Sequence, residues 1–473
     1  MRNFNHIHCI TKVGIQELGG RLYAVLGSTT TKSKLAEAGW HVSVKMTDKK
    51  IIGIILLGGG ERTTRFRPLG FDIPLPLFPI AGIPMIEHHI SSLASVNHIQ
   101  SIFLLGSYQQ DESFLSLLSR LKIEYKISIH YLQEYRLLGT AGGLYHFRDE
   151  ILATSPDLIF VLNADIASDF PLFPMLEFHL KLIANGGSHH TIMGQQASRD
   201  QASQFGVFVK DEESHEVLHY VEKPDTYVSS TINCGIYLFS PQIFSKIKDV
   251  KNQILNNSPV SNDRGDLRPD DSSKLSLERD IIATLAGSGQ LFVFTDVGFW
   301  SQIKTAGSAI HSNRLYLRYY QAHLPFKLSA ESPQVTGEVI IHPSASISET
   351  ALIGPNAVIG QNCIIGDGVR VRDSILLDAI NIDENSCIIN AIIGSHCRLG
   401  RWSRIEGVIA NTNPNDQYAV YDSFDMFNED GQLVPNTTVL GARVTVADEV
   451  HIRNCIIMPN KEIRSSAKNE VIL

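Results

Sequence analysis

The first segment whose residue types could bind a ligand or take part in a reaction is rich in glycine and follows a strongly apolar segment. Residues 51–57 are almost all apolar and mostly β-branched, which is typical of a strand buried on both faces. Three glycines follow directly: Gly58, Gly59 and Gly60. Three arginines lie beside them: Arg62, Arg65 and Arg67. Glycine N–H groups and guanidinium groups both bind phosphate, so the segment predicts a phosphate site at the carboxyl edge of a sheet; an ordinary turn with solvated arginines is the alternative.

An acidic residue ends a second apolar segment. Asp165 follows Leu162, Asn163 and Ala164 at the predicted carboxyl end of a strand. A carboxylate beside a phosphate loop is the ligand that Mg²⁺ prefers when it bridges phosphate oxygens. The alternative interpretation is a solvated aspartate at the beginning of a loop.

Two further segments carry groups suited to a base or a sugar. A second glycine loop contains Gly139 and Thr140, whose backbone would let a flat base lie close to it. Glu222 and Lys223 follow a stretch of β character, and Asn233 comes after them. A lysine binds phosphate as a charged donor, and an asparagine amide hydrogen-bonds sugar hydroxyls. Taken singly, each of these residue types is more often an ordinary surface residue.

Strand and helix patterns alternate over the region that contains these residues. The predicted strands are 51–57, 101–106, 128–131, 158–163 and 190–194, and the predicted helices include 86–93 and 111–121. This alternation is typical of an α/β domain with a mostly parallel sheet and helices on both faces. Residues 251–274, rich in Asn, Asp, Ser and Pro, are predicted to be a flexible insertion, and residues 303–325 to be helical.

Composition restricts the classes of function. The 473 residues are 43% hydrophobic and 19% charged, which indicates a globular protein of two or three domains. The formal net charge of −8 argues against a nucleic-acid binder. No apolar run approaches the roughly 20 residues of a transmembrane helix, and no signal peptide is recognisable, so no membrane partner is expected. Six scattered cysteines without metal-ligand spacing favour reduced thiols and a cytoplasmic location.

The C-terminal part of the chain has a six-residue period. One series of branched residues is spaced six apart: Ile341, Ile347, Ile353, Ile359, Ile365 and Val371. The period returns in two later series: Ile393, Leu399 and Ile405, then Leu440, Val446, Ile452 and Met458. A hexapeptide repeat is the pattern of a left-handed parallel β-helix, in which the branched residues stack inside the coil.

These patterns divide the chain into segments. Residues 1–50 fit none of them and are predicted to be a poorly ordered N-terminal extension; residues 51–325 form the α/β domain, 326–338 a linker and 339–473 the β-helix. The polar segment 411–438 interrupts the six-residue period and is predicted to leave the coil as a loop. Its interleaved acidic and aromatic residues are typical of a surface that meets another protein, and a disordered insertion is the alternative.

The order of these motifs, together with longer matches, resembles one enzyme family. The longer matches are Phe66-Arg67-Pro68-Leu69, Pro76-Leu77-Phe78-Pro79, Tyr131-Leu132-Gln133-Glu134, Leu144-Tyr145-His146-Phe147-Arg148-Asp149, Asn233-Cys234-Gly235-Ile236-Tyr237-Leu238-Phe239-Ser240-Pro241 and Trp300-Ser301-Gln302-Ile303-Lys304. From about residue 51 to the C-terminus, the chain resembles the sugar-1-phosphate nucleotidyltransferases, and among them the alpha subunits of mannose-1-phosphate guanylyltransferases (GDP-mannose pyrophosphorylases).

The resemblance implies a ligand, GTP or GDP-mannose, and a set of residues that hold it. The nucleotide-binding residues it implies are Gly58, Gly59, Arg65, Gln133, Gly139, Thr140 and Asp165. The sugar-binding residues it implies are Gly206, Glu222, Lys223 and Asn233. In the active family a sugar phosphate attacks the α-phosphorus of a nucleoside triphosphate, and catalysis is positioning plus charge neutralisation, with Mg²⁺ held by two aspartates. Asp165 is the first of these by resemblance.

Three positions depart from the active family's pattern. The glycine loop is two residues longer than usual, and Thr63 stands in place of its second glycine, although Arg65 is retained. Leu75 replaces a lysine that faces the triphosphate, and Gln302 replaces the second metal aspartate. An amide is a much weaker Mg²⁺ ligand than a carboxylate, so Mg²⁺ binding is expected to be weakened. Asp296 is about 20 Å away along an extended strand, so it could not take the place of Gln302 without a bulge or turn in the chain.

Three hypotheses follow from these residues. The leading one is a regulatory subunit that binds GDP-mannose and feedback-inhibits a catalytic beta-type subunit, within homo- and hetero-oligomers. The second is a working guanylyltransferase that makes GDP-mannose from GTP and mannose 1-phosphate. The third is a scaffold like the exchange-factor subunits of translation initiation, which share the fold. The substitutions at Leu75 and Gln302 favour the first hypothesis over the second, and the detailed alpha-subunit matches disfavour the third.

Overall fold

A computed structural model describes residues 13–18, 21–26, 49–59, 66–184, 189–257, 274–296, 298–408, 427–429, 431 and 433–473. Residues 1–49 and 50–473 form two compact units. In the first unit, β1 (Val13–Leu18) and β2 (Arg21–Leu26) pair as an antiparallel hairpin, which the sequence analysis did not predict.

The second unit begins with an α/β domain. Its strands are β3 (Ile51–Gly58), β4 (Pro79–Ile80), β5 (Ile83–Pro84), β6 (Ile99–Gly106), β7 (Ser128–Gln133), β8 (Leu158–Asn163), β9 (Ile166–Ser168), β10 (His190–Gln196), β11 (Gly206–Lys210), β12 (Val217–Glu222), β13 (Thr231–Phe239), β14 (Leu291–Thr295) and β15 (Trp300–Gln302). Its helices are α1 (Met85–Ser95), α2 (Glu112–Tyr125), α3 (Thr140–His146), α4 (Arg148–Leu152), α5 (Leu172–Ala184), α6 (Arg199–Ala202), α7 (Ile243–Asn257), α8 (Ala283–Leu285) and α9 (Ala306–His323). Single 3₁₀ turns cover Leu69–Phe71, Leu75–Leu77 and Pro325–Lys327, and a π-helical turn covers Leu277–Ile282.

The main sheet has the order β12-β11-β13-β8-β3-β6-β7; β10 pairs with β13 off this path, and β14 pairs with β10. Strands β8, β3, β6 and β7 run parallel, so their carboxyl ends meet at one edge. On the other side, β13 runs antiparallel to β8 and to β10. The predicted Rossmann-like α/β class is therefore confirmed, with a parallel half that carries the glycine segment.

One sequence prediction needs correction in this domain. Residues 251–274 were predicted to be a flexible insertion, but helix α7 continues to Asn257. Its apolar residues Val250 and Ile254 pack against the core of the sheet. The Asn and Asp content led to the error, because tertiary packing of an apolar helix face outweighs weak local propensity. Residues 258–273 lie outside the described part of the chain.

The C-terminal domain is a parallel β-helix. Its strands are β16 (Val339–Ile341), β17 (Ser346–Ile347), β18 (Leu352–Ile353), β19 (Ala357–Ile359), β20 (Ile364–Ile365), β21 (Arg370–Arg372), β22 (Ser374–Leu376), β23 (Asn381–Ile382), β24 (Cys387–Ile389), β25 (Ala391–Ile393), β26 (Arg398–Leu399), β27 (Arg404–Glu406), β28 (Thr438–Leu440), β29 (Thr445–Val446), β30 (His451–Arg453), β31 (Ile456–Ile457), β32 (Glu462–Ile463), β33 (Ala467–Lys468) and β34 (Val471–Ile472). Every third strand joins the same sheet, which gives three all-parallel sheets, consistent with the predicted left-handed β-helix.

The branched residues of the repeat fill the interior of the coil. Ile353, Ile359 and Ile365 are fully buried, and Ile347 packs partly buried at the open end. Met458 was wrongly predicted to continue the series, because Ile457 is the inward residue that pairs with Leu440.

The length of each turn explains this error. Val339 pairs with Ala357, 18 positions later, whereas Val358 pairs with Ile375, 17 positions later. Most turns of the coil are therefore one residue shorter than three hexapeptides, and a strict count of six overshoots.

The interruption of the period is a single long insertion. Ile375 pairs with Ile392, 17 positions later, but Ile392 pairs with Val439, 47 positions later. The strands therefore resume in register after 30 additional residues. Most of the predicted loop 411–438, including all residues from 411 to 426, lies outside the described residues. At its end, Phe427 bridges to Leu433, which is buried.

The α/β domain and the β-helix share an apolar cluster. One face of the coil contributes Val358, Ile375, Ile392 and Val439. Helix α9 contributes Tyr316, Leu317 and Tyr320. Two ion pairs frame the cluster, Arg314–Asp373 and Arg443–Asp72, both at 2.9 Å. The predicted linker 326–338 is tied into the coil as well, since Val335 is buried in the β-helix core.

Candidate functional site

The carboxyl ends of the parallel strands form one side of the candidate site. β3 ends at Gly58, which has a φ of 63°, and Gly59 follows with a φ of 117°. A Cβ at Gly59 would approach the Ser107 hydroxyl to 2.7 Å, so only glycine lets the backbone pass here. The rest of the predicted phosphate loop, residues 60–65, lies outside the described residues. The phosphate role of Arg65 therefore stays a prediction.

The second glycine loop lies at the same edge but faces a neighbouring segment of backbone. Gly139 has a φ of 81°, and an added Cβ would collide with the carbonyl of Leu275. The Thr140 hydroxyl donates to a Glu278 carboxylate oxygen at 3.0 Å and accepts from the Leu277 N–H at 2.8 Å. The conformation of this loop is therefore fixed by the 275–278 segment.

Gln133 and Glu134 lie at the carboxyl end of β7, at the same edge of the sheet. Gln133 ends β7, and its side-chain oxygen accepts from the Gln110 amide at 3.4 Å. Burial raises the pKa of the Glu134 carboxyl to about 7, and this side chain lies against Gly143. A carboxyl with that pKa is partly protonated at neutral pH, so it has both a donor and acceptors to offer.

The four predicted sugar-binding residues line one cavity of about 150 Å³. The complete lining is Asn163, Ile166, Gln204, Phe205, Gly206, Glu222, Lys223, Asn233, Cys234, Gly235, Tyr237, Glu278, Trp300, Gln302 and Lys304. The pairing of β11 with β12 places Gly206 opposite Glu222, and β13 supplies Asn233. The structure thus brings together the four predicted residues, which lie on or directly after three neighbouring strands between positions 206 and 233.

A hydrogen-bond network of tyrosines and carboxylates forms the floor of this cavity. The Tyr220 hydroxyl donates to Glu222 at 2.5 Å, and the Asn233 amide donates to the Tyr237 hydroxyl at 3.1 Å. The Asn233 side-chain oxygen accepts from the Gly235 N–H at 2.9 Å. Asn233, predicted to contact sugar hydroxyls, therefore already has protein partners at both ends of its amide and holds the network in place.

Glu278 is a functional candidate that the sequence analysis missed. One of its oxygens accepts from the Tyr237 hydroxyl at 3.4 Å, and the other accepts from Thr140. It therefore connects the cavity with the second glycine loop. It follows the polar 251–274 segment, and no spacing in the sequence indicates that this segment returns to the site.

Asp165 is held next to Gln302 by strand pairing. β15 pairs with β9 in a register that places Gln302 opposite Ile166, and the Ile303 N–H donates to the Asp165 carbonyl at 2.7 Å. The Gln302 amide then donates to an Asp165 carboxylate oxygen at 2.7 Å. Burial raises the pKa of Asp165, and the charge of Lys304 and the hydrogen bond from Gln302 oppose that rise.

Of the other two substituted positions, Thr63 lies outside the described residues, and Leu75 is not part of the cavity lining. Leu75 is part of a 3₁₀ turn and packs, partly buried, against the apolar cluster shared with the β-helix. Asp296 lies near Asp169 and contributes to raising the pKa of that carboxyl to about 6, after burial as the larger cause.

These residues do not fit a magnesium site. Gln302 presents an N–H group toward Asp165, where a metal ligand would present a lone pair to the ion. The positive charge of Lys304 acts on the same carboxylate. Within the described part of the chain, no group of three or more His, Cys, Asp or Glu residues could hold a metal ion. The same part contains no helix long and apolar enough to cross a membrane.

Comparisons with known proteins agree with this architecture. The nucleotidyl transferase family matches residues 52–310, and the family described as GMPPB C-terminal domain matches residues 335–472. A "Mannose-1-phosphate guanylyltransferase regulatory subunit alpha" of Xenopus tropicalis is 46% identical over 430 residues, covering 89% of this chain and 99% of that protein. The Homo sapiens protein of the same name is 46% identical over 425 residues, and alpha-A of Danio rerio 46% over 429, with the same two coverages. The chain therefore belongs to the nucleotidyl transferases and, within them, to the regulatory alpha subunits of mannose-1-phosphate guanylyltransferase.

Proposed function

We propose that this chain binds GDP-mannose and uses the bound ligand to lower the activity of a catalytic beta-type subunit. Its relatives carry the name of a regulatory subunit, which implies a catalytic partner. The site supplies the physical argument, because residues suited to holding the ligand are present in it, whereas two residues that the active family uses for transfer are replaced.

The observation that carries the proposal is the contrast between the two halves of the site. Gly206, Glu222 and Lys223 line one cavity whose shape is fixed by hydrogen bonds. Leu75 lies in an apolar cluster, and Gln302 is hydrogen-bonded to Asp165. Losing a single group that stabilises transition-state charge typically costs about 10²–10³ in rate, and here two are replaced. Binding without efficient transfer is the expected outcome.

The ligand we propose would lie across both sides of the site. Its guanosine would rest along the edge formed by Gly58, Gly59, Gln133 and Thr140, where parallel strands end. Its mannose would enter the cavity beside Gly206 and Glu222, with Lys223 near the phosphates.

The loop 411–438 is the segment we propose as the contact with the catalytic partner. The coil resumes in register after it, so the β-helix does not require these residues. GDP-mannose can act through such a contact only if it binds the inhibited complex more tightly than the uninhibited one.

Reconstitution with a catalytic beta-type subunit tests the proposal. The initial rate of GDP-mannose synthesis would be measured at increasing GDP-mannose, for the catalytic subunit alone and with this chain. We expect inhibition at lower GDP-mannose when the chain is present, and a weaker shift with the variant Lys223→Ala. Superimposable inhibition curves with and without the chain would refute a regulatory role.

A further inference from the structure

The cavity lining includes a positively charged side chain that acts on Asp165, the residue that would otherwise hold a metal ion. Lys304 follows Gln302 by two residues, and both line the cavity beside Asp165. Its charge acts on the Asp165 carboxylate, which is buried. A nucleoside diphosphate sugar carries two negative charges on its diphosphate, so it needs a counter-charge where Asp165 already contributes a negative one.

The position of Lys304 is fixed by its own backbone. The N–H groups of Lys304 and Thr305 donate to the Ser308 hydroxyl at 3.0 and 2.9 Å, at the capped first turn of helix α9. Its ammonium lies 5.4 Å from the centre of the Phe205 ring, another residue of the cavity lining. The backbone of the lysine is therefore fixed at the start of the helix, and its ammonium lies over another residue of the cavity lining.

Gln302 also offsets the negative charge of Asp165. Mg²⁺ requires near-octahedral oxygen ligands, usually one or two carboxylates with phosphate oxygens and water. The Gln302 side-chain amide donates a hydrogen bond to an Asp165 carboxylate oxygen at 2.7 Å. This bond offsets part of the negative charge of the carboxylate without an ion. An approaching Mg²⁺ would compete with this bond for one Asp165 oxygen and would be repelled by the charge of Lys304.

We propose that Lys304 and Gln302 act together in place of the divalent cation, so that this site binds the diphosphate of a nucleoside diphosphate sugar without metal. The inference rests on the proposed function, because it assumes that GDP-mannose is the ligand. It goes beyond that function by assigning a binding role to Lys304 and by predicting that binding is independent of magnesium.

Calorimetric binding of GDP-mannose to the full chain, in excess chelator and then in excess MgCl₂, tests the inference. We expect the two dissociation constants to agree within about threefold, because no ligand–metal bridge contributes. Affinity that is lost in chelator and restored by MgCl₂ would overturn the inference and leave the proposed function intact. Absence of binding under both conditions would overturn the proposed function and this inference together.

Substitutions of Lys304 provide the second arm. In chelator, Lys304→Met should weaken GDP-mannose binding by about ten- to a hundredfold, the usual effect of removing a charged partner, and Lys304→Arg should retain most of the affinity. Lys246→Met, an exposed lysine on helix α7, is the matched control and should bind normally. Unchanged affinity in folded Lys304→Met would overturn the role of this lysine. If that variant does not fold, the chelator comparison on the native chain decides.

Discussion

The hydrogen bond between Gln302 and Asp165 is the contact in this site that fits a metal ion least well. The Gln302 amide donates to Asp165 at 2.7 Å, and the pairing of β15 with β9 fixes both residues. A carboxylate at position 302 would stand against Asp165 with the same charge, which is favourable only if a cation or a shared proton lies between the two. The amide makes the arrangement stable without a cation.

The variant Gln302→Asp should therefore be less stable than the native chain in chelator, by about 1–3 kcal/mol of unfolding free energy from like-charge contact in a buried site. Excess MgCl₂ should recover part of this loss, whereas the melting temperature of the native chain should not respond. Thermal melts of both proteins with and without MgCl₂ measure the effect. An equal response of the two proteins to magnesium would contradict the account.

Asp169 predicts a pH-dependent effect on stability. Burial, with the neighbouring charge of Asp296, raises its pKa from 3.8 to about 6. The folded chain then holds this proton more tightly than the unfolded chain, so the stability contributed by Asp169 falls as the pH rises between these values. Above that window the buried charge costs up to about 3 kcal/mol, at 1.4 kcal/mol per unit.

The variant Asp169→Asn should accordingly raise the unfolding free energy at neutral pH, and the gain should shrink as the pH falls toward about 4. The asparagine retains an oxygen that can accept the Ser168 hydroxyl hydrogen bond. Asp225→Asn, at an exposed aspartate, is the control and should change stability little at either pH. Denaturant unfolding at the two pH values measures this, and a gain that is the same at both would show that burial of the charge is not the cause.

At the scale of elements, helix α9 connects the site with the β-helix. It begins at the Thr305 cap, directly after Lys304, and its Tyr316 and Leu317 lie in the apolar cluster that includes the coil. Arg314 pairs with Asp373 at 2.9 Å, with only 15% and 9% of the two side chains exposed. One helix therefore connects the residue that precedes it in the cavity lining with the coil.

Arg314→Ala should cost about 2–3 kcal/mol of stability, because it leaves the buried Asp373 without its main partner. Asp373 keeps a hydrogen bond from Asn356 at 3.1 Å and an ion pair with Arg372 at 3.4 Å, which keep the loss below the upper range for buried pairs. Arg464→Ala removes a surface pair with Glu462, whose side chains are 76% and 58% exposed, and should cost less than about 0.5 kcal/mol. Equal losses of stability in the two variants would show that the Arg314–Asp373 pair does not stabilise the contact between helix α9 and the coil.

The loop is the second element with a prediction of its own. Excising residues 412–436 and closing the gap with a short glycine linker should leave GDP-mannose binding intact, because the coil resumes in register at β28. It should abolish feedback inhibition in the reconstituted complex with a catalytic subunit. Unchanged inhibition would mean that the regulatory contact lies elsewhere on the chain.

At the scale of the whole molecule, the sequence predicts architecture better than contacts. The apolar segment 51–57 is typical of a buried strand, and the six-residue period is typical of a β-helix. Both domains are therefore recognisable from the sequence. Because most turns have 17 residues, one inward step per turn is five residues instead of six, as from Val371 to Leu376, and a strict count of six displaced the prediction at Met458. The roles of Glu278 and Lys304 depend on long-range pairing, which local patterns do not encode.

The N-terminal extension gives a test at this scale. Residues 1–49 form a unit of their own, and the nucleotidyl transferase match begins at residue 52. Deleting residues 1–45 should shift the melting temperature by less than about 5 °C, which corresponds to several kcal/mol for a chain of this length. Extending the deletion to residue 56 removes most of the central strand β3 and should abolish folding. A larger shift from the first deletion would show that the extension belongs to the fold.

The most direct test of the central claim is the rate at which the isolated chain makes GDP-mannose from GTP and mannose 1-phosphate, measured on a sample shown to bind GDP-mannose. With Leu75 and Gln302 in place of charged groups, the account predicts binding together with a rate at least about 10²-fold below that of a catalytic beta-type subunit. A comparable rate for the chain alone would contradict it and identify the protein as a working transferase.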